Sequence, residues 1–203
     1  MHVRTPTLDQ SDFRSMPLNI MKEETREQHM RLERELDISS RLVDRDSYRQ
    51  LLTAFYGYWK PWESRVAASK NAEIVAFFAP RWKRGLLEGD LEFLGMNQRE
   101  IDELPLANVP EFSNDYELLG SMYVTEGSTL GGQFISRMIE QQLNLQDGRG
   151  YAFYRSYGQQ VGTMWREFGR FFNERISPEN LTGAIDGAQQ TFEGIRRWLG
   201  AKR

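Results

Sequence analysis

The sequence predicts an all-α fold, a single bundle-like domain. Apolar residues recur at steps of three and four along most of the chain. No alternating apolar–polar run of strand length occurs. Capping-type residues and prolines fall where the periodic stretches begin or break. A length of 203 residues fits one domain with a substantial core.

Residues 1–16 read as a polar N-terminal leader, followed by a helical domain over 17–203. Leu18, Met21, Thr25, His29, Leu32 and Leu36 form one stripe, so a single helix is expected from Pro17. The stretch "DRDSYRQLLTAFYGYWKPWESRVAAS" opens with capping residues and carries an aromatic band; Pro61 should kink or interrupt it. "NAEIVAFFAPRWKRGLLEGDLEFLG" predicts two short helices broken near Pro80, and "NQREIDELPL" a short helix capped by Asn97. After the loop "ANVPEFSN", one long helix is expected from Asp115 to Leu143. Past the "QDGRG" turn, "YAFYRSYGQQVGTMWREFGRFFNERI" reads as helix throughout. The last helix should open with Ser177 as N-cap and Pro178 at its first position, and run to Leu199.

Composition excludes several functions. The chain has 26 Lys and Arg against 29 Asp and Glu, which leaves no cationic excess to neutralise phosphates, so no nucleic-acid partner is expected. Cysteine is absent, which removes disulfides, thiolate metal sites and cysteine nucleophiles. His2 and His29 are the only histidines, too few for a His-rich metal centre. No apolar run approaches the ~18 residues of a membrane span. No signal peptide is visible, and the expected location is cytoplasmic.

Four groups of residues can carry chemistry. His29 lies on the apolar stripe, either as a core histidine or as an axial iron ligand. Lys22 lies two turns before it and Arg26 one turn before it, placed to meet ligand carboxylates. The stretch "YVTEGSTLGGQFIS" puts Gly127, Gly131 and Gly132 inside an apolar helix, although each glycine costs a helix about 1 kcal/mol. Gly127 and Gly131 share a face that Gly132 and Ser128 flank. This is either a groove for close helix packing or a smooth, kinkable helix lying on a planar group. Arg166 and Arg170 project from one face, as a solvated pair or as a second carboxylate clamp. Phe192, with Phe168, Phe171, Phe172 and Trp198, is core or pocket wall.

In this order the pieces resemble the heme oxygenase family over residues 18–200. "KEETREQHMRLE" is similar to the family's proximal helix and "EGSTLGGQFISR" to its distal helix. The form is nearest to bacterial members that sit beside bacteriophytochromes. The resemblance implies that His29 ligates the haem iron. It implies that Lys22, Arg26, Arg166 and Arg170 hold the propionates, the last two helping to select the meso carbon that is attacked. Gly127, Gly131 and Gly132 would lie against the haem, and Phe192 would wall the pocket. Mammalian-type members carry a distal aspartate where this chain has Ser128, so proton delivery would use backbone, water or another side chain such as Tyr123.

The implied activity is ring opening of heme b, both cofactor and substrate, by O2 and external electrons to biliverdin, CO and ferrous iron. No GxGxxG follows a strand, so electrons would come from a partner such as a ferredoxin or a reductase. A bacteriophytochrome could accept the biliverdin. Other readings are a non-catalytic haem-binding or storage protein on the same fold, and a plain helical interaction module. A haem-independent enzyme of the thiaminase-like group is disfavoured by the missing cysteine.

Overall fold

The computed structural model describes residues 16–201, so most of the expected leader lies outside the described residues. Among the described residues all regular structure is helical. The α-helices are α1 Pro17–Glu24, α2 Arg26–Leu36, α3 Arg45–Ala67, α4 Ala72–Phe78, α5 Arg84–Phe93, α6 Gln98–Asp102, α7 Asp115–Ser128, α8 Gly132–Leu143, α9 Ala152–Arg155, α10 Val161–Asn173 and α11 Leu181–Gly200. The expected all-α domain is therefore observed.

The core is built around α3. It is apolar on most sides, the pattern of a helix enclosed by others, and it buries Tyr48, Leu51, Leu52, Phe55, Tyr56, Tyr58, Trp59 and Trp62. Asp44 caps it by accepting the Ser47 N–H at 2.7 Å. Of the two outcomes expected at Pro61, a kink or an interruption, the interruption does not occur: α3 continues through it. Proline cannot supply the amide that would bond the Gly57 carbonyl. The Ala107 N–H donates to that carbonyl at 2.8 Å instead, which docks the 103–114 loop on α3. Gly57 permits the approach, because a Cβ there would lie 2.6 Å from the Pro105 carbonyl oxygen.

Helix α7 crosses α11 at backbone contact. A Cβ on Gly120 would sit 1.8 Å from the Ala184 oxygen, and one on Gly187 would sit 1.9 Å from the Glu117 oxygen. Beside this crossing, the Trp62 indole N–H donates to Ser121 Oγ at 2.6 Å, the Ser121 hydroxyl donates to Thr191 Oγ1 at 2.8 Å, and the Thr191 hydroxyl donates to the Gly187 carbonyl at 2.7 Å. This buried node ties α3, α7 and α11 together.

Four boundaries differ from the sequence reading. The first helix divides at Thr25, whose hydroxyl donates back to the Met21 carbonyl at 2.7 Å, a bond that bends helices. The long glycine-bearing helix divides at a 3₁₀ turn, Thr129–Gly131, between α7 and α8. The stretch from Tyr151 is not continuous helix: Ser156 and Gly158 adopt φ of 45° and 55°, which ends α9 and restarts the chain as α10. Helix α11 starts at Leu181 rather than Pro178. Residues 178–180 form a turn in which the Asn180 side chain accepts the Ser177 N–H at 2.9 Å, so Ser177 is not the N-cap.

Candidate functional site

His29 stands on α2, which packs along α11. Its imidazole meets Phe192 edge-on, ring centroids 5.8 Å apart. Of the two readings of His29, the core histidine is overturned: α2 buries no residue and the His29 side chain is 54 % exposed. An open imidazole can take a ligand that an enclosed one cannot. Glu33 Oε1 lies 3.5 Å from a ring nitrogen, one helical turn on. A carboxylate there fixes the orientation of a ligating histidine. Glu33 was missed in the sequence, although its four-residue spacing from His29 is visible there.

Helix α2 is held to α11 by charge. Glu35 on α2 takes Arg196 of α11 at 3.0 Å and Arg31 of its own helix at 2.9 Å, and within α11 Glu193 orients Arg196 and Arg197 at 2.7 and 2.6 Å. The Arg196 and Arg197 guanidiniums hold the Glu193 carboxyl below its ordinary 4.5, at about 2. Because the folded-state value is depressed, the stabilisation is complete above pH 4.5 and is lost as pH falls toward 2. The carboxyl that crosses to α2, Glu35, is also held below its ordinary 4.5 by Arg31 and Arg196, so amide hydrogen exchange is expected to show α2 losing protection relative to α3 as pH falls below 4.5. Equal loss in both helices would refute the clamp.

The α7–α8 turn, packed beside α10, presents the glycines. Gly131 is exposed, and a Cβ there would meet nothing within 4 Å. Gly127 is half-buried, and its Cβ would meet the Trp165 ring at 3.7 Å. Gly132 is different. It is buried, and its Cβ would lie 2.1 Å from the Tyr154 oxygen, so it serves helix packing rather than a ligand face. The Ser128 hydroxyl donates to the Thr125 carbonyl at 2.7 Å, which leaves its lone pairs to accept from water. Tyr123 is half-buried, with Trp165 and Phe172 at ring distances of 5.9 and 6.5 Å. Burial pushes its hydroxyl above the ordinary tyrosine value, so it keeps its proton at neutral pH.

Lys22, Arg26, Arg166 and Arg170 are all exposed. Helix α1 lies along α10, with the Leu18 N–H on Asn173 Oδ1 at 3.0 Å, so the cations of α1–α2 and of α10 come from neighbouring helices. Arg166 donates to Thr163 Oγ1 at 3.0 Å. Large apolar side chains are also open to solvent beside both helices: Met30 follows His29, and Leu130 and the 67 % exposed Phe134 surround Gly131. An open imidazole, an open glycine face, exposed apolar groups and neighbouring cations fit a flat apolar molecule carrying two carboxylates. Among the described residues no group of three His, Asp or Glu could hold a metal by itself. Iron here would arrive already inside its ligand.

The sequence reading also missed a buried ionic cluster behind the turn. Glu126, adjacent to Gly127, pairs with Arg81 and, at 3.3 Å, with Lys83. The Tyr157 hydroxyl donates to Glu126 Oε1 at 2.7 Å and accepts from Lys83 Nζ at 2.7 Å. Burial lowers the Lys83 pKa and raises that of Tyr157. The only signal was a carboxylate inside an apolar helical stretch.

A family model described as "Heme oxygenase" matches residues 18–201. A heme oxygenase of Xanthomonas campestris is 28 % identical over 79 % of this chain and 93 % of its own length. One from Rhodella violacea is 30 % identical over 76 % of this chain, and the match spans 66 % of that relative. The fold matches a crystal structure of a Synechocystis heme oxygenase in complex with heme, with a TM-score of 0.74 at 19 % identity over 92 % of this chain and 91 % of that one.

Proposed function

From the premise that the chain belongs to the heme oxygenase family, we propose that it opens the ring of a haem held between α2 and the α7–α8 turn. The observation that carries this reading is the pairing of an open imidazole, His29, with an open glycine surface at Gly131. When bound, haem supplies the iron and the porphyrin carbon that is oxidised, with O2 as oxidant.

The protein supplies placement and protons. His29 would ligate the iron, with Glu33 beside its ring to set the orientation and Phe192 meeting it edge-on. Gly127 and Gly131 let the turn approach the macrocycle, and their bare backbone leaves little room above it. Lys22 and Arg26, and Arg166 and Arg170 on the neighbouring helix, would hold the propionates and so set which meso carbon is attacked. The Ser128 hydroxyl, whose proton goes to the Thr125 carbonyl, would accept from a water beside the bound haem, and Tyr123 is a protonated hydroxyl on the same helix.

Heme b is the form this site would take. Electrons come from a separate donor, a ferredoxin or a reductase, for which the four cations form a docking rim. Biliverdin then passes on, with a bacteriophytochrome as one acceptor. No helix of the described residues is long and apolar enough to cross a membrane, in keeping with a cytoplasmic enzyme. The working unit is the helical domain over 17–203.

The test adds hemin to the purified chain, records the Soret band, then supplies a ferredoxin system in air. Decay of the band into a biliverdin absorption is expected. A stable haem complex that never converts would favour a haem-binding protein, and no Soret shift would end the proposal.

A further inference from the structure

The turn between α7 and α8 poses a mechanical problem. It contains Gly131 and is flanked by Gly127 and Gly132, so side chains do little to hold its angle. A 3₁₀ turn inside a helix is a natural hinge. If the turn faces the haem, an error of ~1 Å in its position can cost about a hundredfold in rate.

Segment 154–158 spans this hinge from behind. Before the turn, the Tyr157 hydroxyl holds Glu126 Oε1 at 2.7 Å. After it, the Gln133 side-chain amide donates to the Gly158 carbonyl at 2.9 Å. Between these points the Tyr154 carbonyl presses on Gly132 so closely that no Cβ would fit. The segment is stiff for a loop. Ser156 sits at φ 45°, ψ −112°, a conformation that side-chain-bearing residues rarely adopt. The Glu126 anchor is fixed in turn: Arg81 and Lys83 grip it, and Arg81 also donates to the Met164 carbonyl on α10 at 3.2 Å.

We propose that residues 154–158 form a splint that sets the angle between α7 and α8. Tyr157 and Gln133 are then positioning residues for ring opening, although neither touches the substrate. This rests on the reading that the turn faces the haem. The splint joins the glycine surface to α10, which bears Arg166 and Arg170, so the height of the turn and the rotation of the macrocycle share one frame.

The test compares Tyr157→Phe, Gln133→Met, the double variant and Gly131→Leu in the full chain. The readouts are the biliverdin isomer distribution, the pH midpoint of the ferric haem spectrum and the melting temperature. Tyr157→Phe keeps the ring and removes only the hydroxyl. Each single variant is expected to bind hemin normally, change the isomer ratio several-fold and move the spectral midpoint. The double variant should add little to the larger single effect, because both arms hold one hinge. A lowered melting temperature with unchanged isomers and midpoint, while Gly131→Leu alters them, would overturn the splint and leave the haem site standing. If Gly131→Leu also changes nothing, the haem-facing reading falls and the splint with it. If Tyr157→Phe does not fold, Gln133→Met, on the opposite arm, decides by the same readouts.

Discussion

His29→Ala is expected to abolish the histidine-ligated haem spectrum and to reduce biliverdin formation by more than the ~10–100-fold that loss of an outer-shell partner costs a metal site. The fold should hardly notice. The His29 side chain is 54 % exposed, and its contacts are an edge-on approach to Phe192 and a 3.5 Å approach to Glu33. Helix α2 is held elsewhere, by the ion pair of Glu35 with Arg196 of α11. The substitution thus separates a structural role from a ligating one. A core histidine would give a large fall in melting temperature, whereas a ligand gives a spectral loss with the melt intact. The measurements are a hemin titration followed at the Soret band and a thermal melt of the ligand-free protein. A variant with the parent spectrum would remove His29 from the iron.

Much of the fold was legible because stripes at steps of three and four and cap residues such as Asn97 report local physics. Asn97 forms the full capping box with Glu100, as its sequence context indicates. The breaks were less legible for identifiable reasons. A 3₁₀ turn at Thr129–Gly131 disturbs the helical stripe too little to be seen. Ser156 takes a left-handed φ that no serine advertises. Pro61 was expected to kink or interrupt its helix; the interruption does not occur because the loop amide of Ala107 satisfies the carbonyl that proline strands, and that partner lies far away in sequence.

The site was legible as a set of residue types rather than as an arrangement. His29 and the glycines stood out because each is costly or rare in its context. Which glycine does which job depends on what lies opposite. Gly120 and Gly132 face backbone, Gly127 faces the Trp165 ring, and Gly131 faces open space. Spacing along one helix carries none of that. The Glu126 cluster was hidden for the same reason, since Arg81, Lys83 and Tyr157 reach it from distant segments.

That division among the glycines leads to the sharpest contrast expected of the protein. Gly131→Leu should eliminate turnover while leaving the ligand-free fold at least as stable as the parent. Gly131 has φ −77° and ψ −16°, a conformation open to any residue, and nothing lies within 4 Å of its Cβ position. Replacing a helical glycine there gains up to ~1 kcal/mol of propensity. A leucine side chain would project into the space the macrocycle needs and push the turn away from it. Gly120→Leu should do the reverse and prevent stable folding. Its Cβ would fall 1.8 Å from the Ala184 oxygen in the α7–α11 crossing, where backbone must move, at a cost beyond the ~1–3 kcal/mol of ordinary overpacking. Thermal melts and biliverdin yield measured side by side test both. Retained turnover in Gly131→Leu would mean that the turn does not lie on the haem. A stable, active Gly120→Leu would mean that the two helices do not meet at their backbones. Each outcome is informative because the two glycines sit three turns apart on one helical run and differ only in what the fold has placed across from them.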